Sequence, residues 1–439
     1  MGIFDLFGGK KNAGGAENKE ELSAAAQKEK EMQAAMDAHA DMEWPGFPKL
    51  NPVNAPELEA AQMPETVSEE RKNEIGEMIY DSDLSADSLR FLSNQEILFL
   101  LTALEVFNKK APLPGFEKNH RKVYNELLGR VRDAEILYVL YDATTGYPFI
   151  DHGFGNVYFE KEMAEKAAEI FARQFRRLMV KEIKVENPDD TSAVKRGFFD
   201  YLYYIGIENI LVDNGAYRAR FKRSEIVAAP GDWNSEDLGN NPVNPALNFA
   251  MLDFMEELRW PVKYEKRDDV VKAKEMRMLS LIRSSSFIVP MQHEGPVEVL
   301  EDGKMQFNKD TKFKFLVLNT KDDKHFLPVF TDGIEFGKKL RGSEWNAAVF
   351  KYQDILKFMS DKDGITINPE GQSVVLPKDR MMMLEMAGQH ADQMRKKAGM
   401  AGAPTGGTAS DSEEVAVQKA LNQAMKRMNE NKEDKEDKE

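Results

Sequence analysis

The chain has 439 residues, no cysteine, and 60 basic against 75 acidic side chains, which gives a formal net charge of −15. Without cysteine, disulfide scaffolds, cysteine nucleophiles and thiolate zinc sites are excluded. The acidic balance argues against broad nucleic-acid binding, which requires a basic surface, and the 42% of hydrophobic residues can fill more than one core.

The first 85 residues are predicted to be a flexible leader with an apolar tip. The tip carries Phe4, Leu6 and Phe7, and a run rich in Glu, Lys, Ala and Gln follows it. Five prolines between residues 45 and 64 then interrupt a stretch with little to bury. We interpret the tip as a docking element for a partner or for this chain itself, and weak contact with a membrane surface is the alternative.

Helices and strands alternate in region 86–235, which predicts a mixed α+β domain. Asp213, Asn214 and Gly215 supply a strong hairpin signal between two apolar runs. Helical periodicity marks 94–108, 123–131 and 161–180, and apolar runs of strand length mark 136–141, 157–159, 207–212 and 216–221.

A similar order recurs in region 242–390, after a linker around residues 230–245. Helices are predicted at 248–258, at 272–283 and within 345–358. Strands are predicted at 287–291, 298–300, 305–307, 313–318, 365–367 and 373–376. Residues 391–439 are predicted to be a linker, a short amphipathic helix and a charged disordered tail.

The recurrence indicates an internal duplication, hence two tandem related domains. At a shift of 177 positions, the run 136–142 lies over 313–319, and 155–159 lies over 332–336. Further on, Gly215 matches Gly371 at a smaller shift. Few side chains are identical, so the interpretation rests on the order of the elements. The predicted fold class is α+β, with short antiparallel hairpins in both domains and flexible tails.

One string in the second copy resembles a known family. Residues 326–332 read Phe-Leu-Pro-Val-Phe-Thr-Asp, a helix with Trp345 follows, and residues 364–371 read Gly-Ile-Thr-Ile-Asn-Pro-Glu-Gly. This pattern resembles the N-terminal domain of SseB, the "enhanced serine sensitivity" protein family of bacteria. The resemblance covers about residues 245–388, and 86–235 is predicted to be a divergent copy. It implies a compact α+β domain and supplies no known reaction, catalytic residue or ligand.

The motif residues are the candidate interaction site, with two interpretations. They could form a ligand or partner site, or they could cap a helix and close a turn, because Asp caps helices and Pro with Gly suits a tight turn. The candidates are Phe330, Thr331, Asp332, Asn368, Pro369 and Gly371.

A methionine cluster precedes the C-terminal linker and has two interpretations as well. Methionine adapts to irregular apolar surfaces and is common at promiscuous interfaces, but it also packs in ordinary cores. The cluster comprises Met381, Met382, Met383, Met386, Met394 and Met400.

These patterns predict a non-enzymatic protein-interaction or regulatory module of the bacterial cytoplasm, with an unknown protein partner and no nucleic acid. No catalytic residue, cofactor or metal site is expected, since none of the six histidines has a metal-site spacing. No apolar run approaches the roughly 18–20 residues of a transmembrane span. The alternative is a small-ligand-binding protein or enzyme with a site near Asp332 and Asn368.

Overall fold

The computed structural model describes residues 14–47, 63–186, 197–229, 242–295, 297–299, 305–307, 311–359 and 361–397. Over these residues the fold is α+β, as predicted, with small and mostly antiparallel sheets. The predicted docking tip (Phe4, Leu6 and Phe7) lies outside the described residues, as do most of the interdomain linker and the whole chain after residue 397.

The second half of the expected leader packs into the first core instead of remaining flexible. Phe47, Met63 and Ile75 are buried there, and the Trp44 ring stacks on Phe107 with centroids 4.9 Å apart. The composition concealed this packing because a few widely spaced apolar side chains make the contacts. The elements are α1 (Gly14–Ala38), α2 (Glu69–Gly76), a turn of 3-10 helix (Glu77–Tyr80) and α3 (Ala86–Arg90).

Helices α4 (Asn94–Lys110) and α5 (Phe116–Arg132) pack against each other and contribute apolar side chains to the first core. Helix α4 begins with a capping box, in which Ser93 and Glu96 satisfy each other's backbone amides. Its broad apolar face, predicted from the sequence, lies in the first core.

The first sheet has the order β4-β1-β3-β5-β6, with β2 paired to the free part of β3. Strands β3 and β5 run parallel, and the other neighbours run antiparallel. The predicted hairpin around Asn214 is confirmed, because β5 turns back into β6 there. The elements are β1 (Ile136–Asp142), β2 (Ile150–Asp151), β3 (Phe154–Tyr158), α6 (Lys161–Ala172), β4 (Leu178–Lys184), α7 (Phe198–Tyr204), β5 (Asn209–Val212), β6 (Ala219–Lys222) and α8 (Arg223–Ile226).

The helix predicted over 161–180 is wrong in its last third. Helix α6 ends at Ala172, and Phe175 adopts a left-handed backbone with φ of 61° that breaks the helical path. The chain then enters β4, which pairs with β1 along its whole length. Pairing with a distant strand therefore overrides the local helical periodicity.

In the second half, helix α9 (Pro245–Arg259) lies between two cores. Its Leu252 packs in the first core and its Met251 in the second. The elements that follow are α10 (Arg267–Ser284), β7 (Ser286–Glu294), β8 (Val297–Val299), β9 (Met305–Phe307), β10 (Lys312–Phe315), β11 (Leu318–Asn319), β12 (His325–Val329), α11 (Gly333–Leu340), β13 (Asn346–Lys351), α12 (Tyr352–Phe358), β14 (Gly364–Ile367), β15 (Val374–Pro377) and α13 (Lys378–Lys397).

The second half has sheets of order β10-β7-β13 and β11-β12-β14-β15, and a separate β8-β9 hairpin. Ile288 and Phe330 join the β10-β7-β13 sheet to the β11-β12-β14-β15 sheet by two backbone hydrogen bonds of 2.9 and 2.8 Å. The helix predicted within 345–358 is confirmed at α12. Trp345 lies outside it, and residues 346–351 form β13 and pair with β7. The strand predicted over 313–318 divides into β10 and β11, which pair with different neighbours.

Through the bridge at Ile288, the order β13-β7-β12-β14-β15 repeats the order β4-β1-β3-β5-β6 of the first sheet. In this order, β7 occupies the position of β1. Strand β1 lies between β3 and β4, which precede and follow α6, and β7 lies between β12 and β13, which precede and follow α11. The expected overlay of 136–142 on 313–319 is therefore wrong. The overlay of 155–159 on 332–336 is also displaced, since β12 ends at Val329 and occupies the position of β3.

Candidate functional site

The segment Phe-Thr-Asp at the end of β12 passes from the sheet into helix α11. Phe330 is buried beside Ile288. Asp332 caps the helix, since its Oδ1 accepts hydrogen bonds of 2.9 Å from the backbone amides of Ile334 and Glu335. The capping interpretation of the motif is thus confirmed for Asp332.

The second motif meets the first one through Asn368. Its Oδ1 accepts a 3.0 Å hydrogen bond from the Thr331 amide, and its Nδ2 donates to Thr331 Oγ1 at 2.9 Å. Asn368 has φ of 47°, a left-handed conformation that Asn adopts more readily than most residues. Its carbonyl accepts from the Gly371 amide at 3.0 Å and closes the turn through Pro369.

Two asparagines that the sequence analysis missed complete this network. Asn248 donates through Nδ2 to Asp332 Oδ2 at 3.0 Å and to the Tyr204 carbonyl at 2.8 Å. Asn244 donates to the carbonyls of Ser286 and Thr331 at 2.9 and 2.6 Å. The available signal was a pair of asparagines four residues apart at the start of a helix, which places both on one face.

Four of the six motif side chains are buried, and Pro369 and Gly371 are partly exposed. Thr331 is 0% exposed, and Asp332 and Asn368 are each 2% exposed. Protein groups take up the polar atoms described above. The arrangement therefore joins a strand end, a turn and two helices, and it offers no open surface to a ligand at Asp332 or Asn368.

The first sheet contains a matching arrangement at Asp213. The Asp213 amide bonds to the Val157 carbonyl, and its Oδ1 accepts from the Phe159 amide at 3.2 Å. Its Oδ2 accepts from Gln95 Nε2 at 2.8 Å. Because Asp213 is fully buried, the pKa of its carboxyl is raised to about 7. Asp213 therefore places a carboxyl group after β5, where Asn368 places an amide after β14.

A polar seam joins the two halves next to the second motif. Tyr147 Oη lies 3.2 Å from Glu335 Oε1 and accepts hydrogen bonds from Lys338 Nζ at 2.8 Å and from the Gln372 amide at 3.2 Å. Burial raises the pKa of Glu335 and of Tyr147. A β-carbon placed on Gly371 would lie 2.2 Å from Glu335 Oε2 and 2.7 Å from Tyr147 Oη, so any other residue at this position must displace these side-chain ends.

The methionine cluster divides between the core and the surface. On α13, Met381 is fully buried, whereas Met382, Met386 and Met394 are 53%, 59% and 53% exposed. Both interpretations of the cluster therefore hold for different members. Met400 lies outside the described residues.

Within the described ranges, no group of three or more His, Asp or Glu side chains is placed to hold a metal ion. No described helix is long and apolar enough to cross a membrane.

Comparison with known proteins gives a match in the second half of the chain. The profile of the SseB protein N-terminal domain matches residues 265–382. This range runs from the start of α10 to the start of α13 and includes both motifs. A search of curated proteins and a search of solved structures gave no match. Over residues 265–382, the chain therefore matches the SseB N-terminal domain family, as the sequence resemblance predicted.

Proposed function

We propose that this chain is a non-enzymatic protein-interaction or regulatory module that binds its partner through the outer face of α13. The observation that carries the proposal is the exposure of Met382, Met386 and Met394 on one face of this helix. At 100° per residue these side chains fall within a sector of about 120°, so one apolar partner surface can cover them together.

The surroundings of this face also favour a protein partner. Leu279 of α10 and Met383 and Ala387 of α13 line a groove of about 260 Å³ beside it. Methionine has three rotatable bonds and a polarizable sulfur, so such a face adapts to an incoming apolar helix or peptide. The face lies largely beyond the matched family region, which ends at residue 382.

We also propose that residues 86–235 and 242–390 are tandem related domains. The support is the repeated strand order and the equivalent positions of Asp213 and Asn368. Asp213 follows β5, which runs parallel to β3, and accepts a hydrogen bond from the amide of Phe159 just after β3. Asn368 follows β14, which runs parallel to β12, and accepts one from the amide of Thr331 just after β12. In this proposal the second domain keeps the family motif, and the first keeps the fold.

The experiment compares three full-length proteins as bait in extract from the source organism. They are the wild type, a variant with Met382→Gln, Met386→Gln and Met394→Gln, and a control with Met36→Gln and Met179→Gln. Glutamine preserves chain length and helix propensity, and the control residues are 37% and 42% exposed. A photo-crosslinking residue at position 386 then identifies which protein contacts the helix.

We expect one protein to be recovered near equal stoichiometry by the wild type and the control. The triple variant should recover at least tenfold less, because three apolar contacts lose roughly 1 kcal/mol each. The purified partner should reproduce this ranking. Equal recovery by all three baits would place the interface elsewhere, and the absence of any stoichiometric protein would refute the interaction function.

A further inference from the structure

A small pocket lies between the two halves, and no residue of α13 lines it. Its volume is about 140 Å³, close to the roughly 150 Å³ of an engineered cavity that binds benzene. Three segments line it, which are the turn after β1 (Asp142 and Thr144), the loop between α6 and β4, and the end of α9. No feature singled out in the sequence pointed to this place.

The pocket is rich in guanidinium groups. Arg176, Arg177 and Arg259 all line it. The Arg176 guanidinium is held against the Trp260 ring, 3.9 Å from its centroid, and Arg259 donates to the Thr144 carbonyl. Arg177 is exposed, and its side chain makes no hydrogen bond or ion pair with another described residue. Guanidinium groups match the geometry of carboxylate and phosphate oxygens.

A buried carboxyl group in the lining has one oxygen without a partner. Glu256 is 4% exposed, and its Oε2 accepts a 3.1 Å hydrogen bond from the Ile150 amide. Its Oε1 has no hydrogen-bond partner among the described residues. Burial raises the pKa of Glu256 well above its ordinary value, which favours the protonated form. Since Oε2 accepts a bond, the proton belongs on Oε1, and protonated Glu256 adds no negative charge to the lining.

The other carboxylate in the lining is already engaged. Asp142 Oδ1 accepts hydrogen bonds from the amides of Thr144 and Thr145 at 2.7 and 3.0 Å. The balance of the lining is therefore positive. Carboxylates that approach Arg176 from outside the lining are Glu257 and Asp151, which leaves Arg177 and Arg259 as the cations available to a ligand.

The rim supplies an apolar wall in a strained conformation. Phe175 is 63% exposed, and its φ is 61°. This left-handed backbone conformation costs roughly 1–2 kcal/mol for a residue other than glycine. The other apolar residues of the lining are Trp260, which is buried, and Pro261, which is exposed. A strained, exposed aromatic at the mouth of a polar pocket is typical of a ligand-binding position.

We propose that this pocket binds a small organic carboxylate of about six to nine non-hydrogen atoms. Arg177 and Arg259 would bind the carboxylate group, and Phe175 and Pro261 would contact the apolar part. The apolar walls favour an organic acid over inorganic phosphate, which has no apolar part to bury.

The test measures binding to the full chain by calorimetry and tryptophan fluorescence at constant ionic strength. The probes are butyrate, lactate and benzoate, each beside its amide (butyramide, lactamide or benzamide), and inorganic phosphate. We expect at least one acid to bind with Kd of about 1 mM or tighter and its amide to bind at least tenfold more weakly. Arg177→Gln and Arg259→Gln should each weaken binding at least fivefold.

Arg173→Gln is the matched control, since Arg173 is exposed in the same loop region and does not line the pocket. Its affinity should equal that of the wild type, and thermal melting of each variant shows that the fold is retained. The proposal is overturned if no acid binds with a Kd of about 1 mM or tighter, if acid and amide bind equally, if Arg177→Gln has no effect, or if only phosphate binds. None of these results bears on the methionine face, so the two proposals can fail separately.

Discussion

The contact between the two family motifs can be tested at Asn368, because one side chain joins them. Asn368→Ala removes the hydrogen bonds to the Thr331 amide and to Thr331 Oγ1. A net loss of about 1 kcal/mol per bond, with a further cost for the Thr331 amide left buried and unpaired, totals roughly 2–4 kcal/mol. Alanine at φ of 47° adds strain that asparagine tolerates better.

Asn368→Gly separates the two contributions. Glycine loses the same hydrogen bonds but adopts the left-handed conformation freely, so it should be more stable than the alanine variant by roughly 0.5–1 kcal/mol. Asn346→Ala on the exposed side of β13 is the control and should change the free energy of unfolding by less than about 0.5 kcal/mol. Urea unfolding followed by circular dichroism measures all three.

Hydrogen exchange supplies a local readout. The Asn368 amide donates to the Val329 carbonyl at 2.9 Å, and its protection should fall with that of the Thr331 amide in both variants. The reasoning is refuted if Asn368→Ala costs less than about 1 kcal/mol, or if the glycine variant is the less stable of the two.

Two further predictions concern Gly371 and Asp213. Gly371→Ala should destabilise the chain by about 2–3 kcal/mol in thermal or urea unfolding, because the new methyl group would displace Glu335 from the seam. Asp213→Asn should stabilise the chain by roughly 1–3 kcal/mol at pH 8 and have little effect near pH 4. The folded carboxyl has a pKa of about 7, above roughly 3.9 when unfolded, so the wild type loses stability as the pH rises between these values.

Each of these predictions has a control or a result that contradicts it. A β-carbon on Gly46 meets no atom within 4 Å, so Gly46→Ala should be neutral, and an equal loss in both glycine variants would contradict the steric explanation. For Asp213, urea unfolding between pH 4 and pH 8 should give a flatter profile in the asparagine variant. An unchanged profile would show that this carboxyl does not titrate near neutral pH.

The sequence alone determined the fold class, most helices and strands, and the family match. The periodicity of helix α4, the hairpin at Asn214 and the strings around Thr331 and Asn368 could be recognised from the sequence, because periodic patterns and turns depend on neighbouring residues. The role of Asp332 as a helix cap could be predicted for the same reason.

Only the tertiary structure decided the rest. The helix predicted over 161–180 runs into β4, and the region 345–358, predicted to contain helix, includes β13. The partner strands β1 and β7 lie more than 35 residues away in the chain. The periodicity of apolar residues within a segment does not show which distant strand that segment pairs with. The predicted overlay of 136–142 on 313–319 was wrong for the same reason. Likewise, the pocket around Arg177 and Glu256 combines residues from three distant segments, and side chains that share no local pattern become one site only when the chain folds around them.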